Sequence, residues 1–94
     1  MSRPIKPRCI SFYPDAEVFS PIPKWKASGT VTMYADEIEA LRLVDYEGLS
    51  QEEAAGRMGV SRGTVWRLLQ SGREKIISMV VKRRQLIVRK AEKV

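Results

Sequence analysis

Between Ser50 and Val81 apolar residues recur at intervals of three and four, with one interruption at a glycine. Ala54, Ala55 and Met58 share one helical face, and Val65, Leu68, Leu69, Ile76 and Val80 resume the spacing beyond Gly59 and Val60. Ser50 followed by Glu53 has the form of a capping box, in which each side chain satisfies the other residue's backbone N–H. Gly59 stands where the chain needs positive φ to reverse direction. Val60 fits the corner, and Ser61 is a second N-cap. Small Ala55 permits a close helix crossing. The stretch Gln51 to Gln70, QEEAAGRMGVSRGTVWRLLQ, therefore reads as two helices joined by a tight turn, a helix-turn-helix whose second helix is long and shaped for a DNA groove.

The flanking pattern is less regular. Ala35 to Tyr46 predicts a further helix, with Ile38, Leu41 and Val44 at core spacing and Asp36, Glu37 and Glu39 near its electropositive start. Arg8 to Tyr13, Thr30 to Met33 and Gln85 to Arg89 have strand character. The last of these needs a partner, either the N-terminal strand of the same chain or that of a second copy. Asp15 to Gly29, with Pro21, Pro23 and Gly29, predicts an ordered loop pinned by Trp25.

Length then bounds the picture. The chain has 94 residues and is expected to form one domain around one core, mainly α with short flanking β-strands. Within it, residues 1–34 form a basic arm, short strands and a proline-rich loop, 35–82 the helix-turn-helix core, and 83–94 a basic tail with a short strand. No apolar run suits a membrane span, and the opening MSRPIKPR lacks the apolar stretch of a signal peptide, so a cytoplasmic location is expected. Cys9 stands alone and histidine is absent, which excludes an internal disulfide and leaves no ligand set for zinc. No cofactor is expected. No nucleophile stands beside a base, so an enzyme is the least favoured class.

Charge is segregated. Residues 1–34 carry +3, residues 35–60 carry −5 and residues 61–94 carry +8, within a net +6. An evenly solvated surface would mix the signs; a basic long helix beside acidic supporting helices is the footprint of a polyanion partner.

LSQEEAAGRMGVSRGTVWRLL, preceded by ADEIEALRLVDYEG and flanked by the RPIKPR opening and the LIVR tail, resembles a small prokaryotic family of predicted DNA-binding proteins, the DUF134/UPF0251 type. That family's helix-turn-helix is similar to region four of sigma factors. The resemblance implies a helical DNA-binding core and transcriptional work. The sequence departs from the family at two places: Tyr34 stands where a Ser or Thr cap is usual, and Arg83 and Arg84 where a glycine turn is usual.

Groove geometry assigns roles to particular residues. In such a motif the second helix enters the major groove of double-stranded DNA with its N-terminal residues toward base edges. Arg62 is the first candidate for reading sequence, because a planar guanidinium matches guanine O6 and N7. Thr64, Trp66, Arg67 and Gln70 are the other candidate base-reading residues; Arg67 also suits a phosphate, and Trp66 suits partial burial. Ser50, Gln51, Ser61, Gly63 and Arg73, with Arg3, Lys6 and Arg8 of the N-terminal arm, are candidate DNA-backbone contacts. Gly63, without a side chain, lets the helix approach closely. The wide apolar face from Ile76 to Val81 needs a cover beyond one small core, either the flanking strands or a second subunit, and a homodimer is expected. The alternative function is a protein-interaction module, sigma-like or anti-sigma-like, that contacts RNA polymerase through the acidic helix Asp36 to Glu47.

Overall fold

The computed structural model describes Ile10 and residues 17–90. In chain order these form β1 (Val18–Phe19), β2 (Thr30–Tyr34), α1 (Ala35–Leu41), α2 (Gln51–Met58), α3 (Arg62–Lys82) and β3 (Gln85–Arg89). A single 3-10 turn, Lys24–Lys26, lies between β1 and β2, and α1 widens into a π-helical turn, Arg42–Tyr46. The chain is mainly helical, with one small sheet.

β3 is the central strand of that sheet. It runs antiparallel to β1, with Val18 opposite Ile87, and parallel to β2, from Thr30 opposite Gln85 to Tyr34 opposite Arg89. All three helices therefore lie on the crossover between two neighbouring parallel strands. The C-terminal strand thus pairs within the chain, and β2 rather than the expected N-terminal strand supplies most of the described pairing. The strand expected at Arg8 to Tyr13 lies outside the described residues.

Local chemistry sets the helix ends. Tyr34 is extended, at φ −97° and ψ 156°, and its backbone N–H donates to Glu37 Oε1 at 2.9 Å; its phenol gives α1 no side-chain cap. The π turn closes through Glu47 N–H to Arg42 O at 2.8 Å, and Gly48 ends it at φ +82°. Both arms of the Ser50–Glu53 capping box are formed, each at 3.0 Å. Gly59 is left-handed at φ 68°, and Ser61 Oγ accepts from Thr64 N–H at 3.1 Å to start α3. α3 ends at Arg83, which is left-handed at φ 51° without being a glycine.

The core lies where the helices meet. Ala40, Leu43, Ala54, Ala55, Met58, Val65 and Leu69 form it, with Leu41, Val44, Leu49, Val60 and Leu68 packed around it. Of the expected stripe Ile38, Leu41 and Val44, the last two pack partly buried against this core; the fully buried apolar positions are Ala35, Ala40 and Leu43, and Asp36, Glu37 and Glu39 are buried too. The reason is that α1 is covered on more than one side, by α3 and by β2, so one apolar stripe does not describe it. Gly72 lies where α1 and α3 cross closely. A Cβ there would lie 2.8 Å from Leu41 Cδ1 and 3.1 Å from Met33 Cε.

Two further expectations are corrected. Trp25 is 79 % exposed and does not pin the loop before β2. Backbone bonds do so instead: Ser28 N–H donates to Arg83 O at 2.9 Å and Gln85 N–H to Gly29 O at 2.8 Å, while the Ser28 hydroxyl donates to Lys82 O. Ile76 and Val80, expected to continue the core stripe of α3, are 37 % and 66 % exposed, because the core ends near Gly72 and the sheet covers only one flank beyond it.

Candidate nucleic-acid interface

α3 has two opposed faces in its N-terminal half. Val65 and Leu69 are completely buried, while Arg62, Gly63, Trp66, Arg67 and Gln70 all face solvent. The buried face fixes the axial rotation of the helix, so the exposed set is held as a unit. Trp66 is half-exposed, at 52 %.

A short polar chain stiffens the first two turns. Ser61 Oγ lies 3.0 Å from Thr64 Oγ1, which in turn accepts from Arg67 Nη2 at 3.3 Å. Thr64 is thereby engaged within the protein, and Arg67 is steered along the helix. Among the described residues Arg62 has no carboxylate partner and extends into solvent. A Cβ at Gly63 would meet only Ser61 Oγ, at 3.9 Å, so nothing inside the protein requires glycine at this position.

Arg73, one turn beyond Gln70, is held differently. Its Nε and Nη2 donate to Asp45 Oδ2 and Oδ1 at 3.0 and 2.7 Å. That two-pronged bond holds the Asp45 carboxyl below the usual carboxylate range, against the opposing effect of burial, and raises the guanidinium further. Arg73 therefore ties α3 to the π turn, and much of its donor capacity is used within the protein.

The start of α2 has a mixed character. Ser50 is exposed and Gln51 half-buried, but the Ser50 hydroxyl and N–H are both committed to Glu53. The Ser50 backbone N–H, donating to Glu53, keeps that carboxyl ionised to lower pH than usual, and Glu52 adds a second acid beside it. Arg3, Lys6 and Arg8 lie outside the described residues.

Burial of the acidic residues of α1 is an arrangement that periodicity did not reveal. Glu37 accepts from Tyr34 N–H, from the Ser71 hydroxyl and from Lys75 Nζ, the last at 2.8 Å; Lys75 Nζ also lies 5.1 Å from the Tyr34 ring centre. Glu39 pairs with Arg42 at 3.0 Å, and Arg42 also reaches Glu47. The Glu39 hydrogen bond raises the Arg42 guanidinium above its ordinary value. These carboxylates bind α1 to its neighbours, and of the acids between Asp36 and Glu47 only Asp45 and Glu47 are exposed. The capping role of Glu37 was readable from its place three residues after Tyr34; its bond to Lys75 depends on the tertiary crossing. Among the described residues no cluster of Cys, Asp and Glu is arranged to hold a metal ion, and no helix is long and apolar enough to cross a membrane.

These observations define a mainly helical domain that presents one cationic helix face beside a small three-stranded sheet. The chain belongs to the family described as "Protein of unknown function DUF134", whose model matches residues 1–93. It is 53 % identical over 83 residues to a UPF0251 protein of Thermococcus kodakarensis, covering 86 % of this chain and 74 % of that protein. A UPF0251 protein of Pyrococcus furiosus is 53 % identical over 85 residues, covering 88 % of this chain and 79 % of the relative. One from Desulforudis audaxviator is 43 % identical over 90 residues, covering 94 % and 58 %. No solved structure matches the chain.

Proposed function

We propose that the protein binds double-stranded DNA in a sequence-specific manner and regulates transcription, with α2 and α3 acting as a helix-turn-helix similar to that of sigma region four. The observation that carries this reading is the exposed face of α3, where Arg62, Trp66, Arg67 and Gln70 stand clear of the core while Val65 and Leu69 anchor the opposite side. A helix held rigidly on one side and cationic on the other fits a major groove, and arginine near its N-terminus suits guanine.

The polar chain from Ser61 through Thr64 to Arg67 gives the roles a division. Arg62 reads a base edge, Gln70 and Trp66 extend the contact along the groove, and Arg67, braced by Thr64, reaches a phosphate or a neighbouring base. Arg73 contributes through its tie to Asp45, which holds the helix in place. The acidic residues of α1 are mostly buried, so a polymerase contact through that helix has only Asp45 and Glu47 to present.

Selection of bound fragments from random double-stranded DNA, at stated salt, tests the reading. Recovery of one enriched motif, lost in Arg62→Ala, supports it. Absence of any enrichment, together with affinity that does not respond to salt, overturns it.

A further inference from the structure

The proposed DNA contact occupies the N-terminal half of α3, and the C-terminal half of the same helix has a surface of another kind. Its outward ridge carries Ile77, Val80 and Val81, exposed at 60, 66 and 71 %. These side chains add nothing to the core of a single chain. Beside the ridge, α1, α3 and the sheet enclose a groove of about 760 Å³ lined by apolar residues that include Phe19, Leu41, Ile76 and Leu86. Val80 and Phe19 also line a smaller depression, which makes ridge and groove one continuous surface.

A projecting apolar ridge next to an apolar groove is self-complementary. A two-fold axis that sends the ridge of one copy into the groove of another forms the reciprocal contact at the same time. Charge favours the same arrangement. The groove is bordered by Asp45 and Glu47 against a single cation, Arg42, whereas the ridge ends in Lys82 and Arg83, both exposed and without an acidic partner among the described residues. Asp45 and Glu47 already accept hydrogen bonds from Arg73 and Arg42, but each carboxylate keeps acceptor sites for a further donor.

We infer that the groove is filled by a second copy of this chain: the ridge of Ile77, Val80 and Val81 from one protomer seats between α1, α3 and the sheet of its partner, and the basic end of α3 meets the acidic border of the groove. The contact leaves Arg62, Trp66 and Gln70 uncovered, since they lie in the other half of the helix, and it does not depend on the DNA reading.

Sedimentation equilibrium of the full chain without DNA, carried to about 100 µM, tests the interface. The expected result is a dimer that Ile77→Asp weakens by about a hundredfold or more, with the circular dichroism spectrum unchanged because Ile77 is exposed. Glu47→Lys weakens it by about tenfold, and combining Glu47→Lys with Arg83→Glu restores most of that loss. A wild-type monomer throughout the range overturns the inference, as does a dimer indifferent to Ile77→Asp. A monomer that binds an apolar fluorescent dye in the groove overturns it in favour of a small apolar ligand. A monomer that still selects a DNA motif removes the dimer and leaves the proposed function standing; a dimer broken by Ile77→Asp that selects no DNA does the reverse.

Discussion

The Arg73 guanidinium grips the Asp45 carboxylate through two hydrogen bonds, 3.0 and 2.7 Å long, and so ties the middle of α3 to the π turn that follows α1. The two residues are 28 positions apart, and their pairing joins two elements at the surface of the domain. The same pair gives the fold a pH dependence with a definite sign.

Asp45 and Glu53 both have folded-state pKa values below those of free carboxyl groups, Asp45 through the Arg73 hydrogen bonds and Glu53 through the Ser50 backbone N–H. A depressed carboxyl contributes its stability in full above its unfolded pKa, about 4, and loses it as pH falls through the folded value. The protein is therefore expected to be less stable at pH 3 than at pH 7. Urea unfolding at the two pH values checks this, and Asp45→Asn should show a smaller difference between them than the wild type.

Replacement of Arg62 by Ala is expected to cost about 1 to 3 kcal/mol in affinity for the selected site and to relax preference at one base pair. Because Arg62 has no carboxylate partner among the described residues, the thermal midpoint should stay within about a degree of wild type. Electrophoretic mobility shifts on the selected site and on its single-base variants measure the effect; an equal loss on every sequence would make Arg62 a phosphate contact.

Arg83 occupies a left-handed conformation, at φ 51° and ψ 48°, that glycine adopts without steric penalty. Arg83→Gly is expected to stabilise the protein by about 0.5 to 1 kcal/mol, since relief of the Cβ clash exceeds the added freedom of the unfolded chain. For a domain of this size that corresponds to a rise in Tm of about 2 to 8 °C, readable by calorimetry. A fall in Tm would show that the arginine side chain contributes more than its backbone strain takes away.

Glu37 is buried and depends on Lys75 for its countercharge. Lys75→Met leaves that carboxylate, among the described residues, with the Tyr34 N–H and the Ser71 hydroxyl alone, and is expected to destabilise the fold by about 1 to 3 kcal/mol. The double variant Lys75→Met with Glu37→Gln should recover part of the loss, because no uncompensated charge remains. Chemical denaturation of the four proteins in the cycle gives the coupling.

The elements most legible in the sequence were those whose cause is local. Ser50 with Glu53, Gly59 and Ser61 each announce a helix end through backbone chemistry within four residues, and each stands where expected. Val65 and Leu69 announce their burial through spacing alone. Periodicity described α1 only in part: Leu41 and Val44 do pack against the core, but a helix covered from more than one side also buries Asp36, Glu37 and Glu39, and the charge of Glu37 is met by Lys75, distant in sequence. It failed beyond Gly72, where Ile76 and Val80 keep the helical spacing although the core has ended. Gly72 itself gave no local signal, since the need for glycine comes from Leu41 and Met33 on other elements. Of the site, the outward set on α3 was readable as a face; the commitment of Arg73 to Asp45, and of Thr64 to its neighbours, was not.

The position of β3 governs how the molecule can be made. The strand in the middle of the sheet is also the last described element of the chain, so during synthesis β1 and β2 have no strand partner among the described residues until Gln85 to Arg89 leave the ribosome. A polypeptide stopped at Lys82 keeps α1, α2 and α3 and loses the piece that joins β1 to β2. Emergence of β3 is thus the event that allows these three strands to assemble.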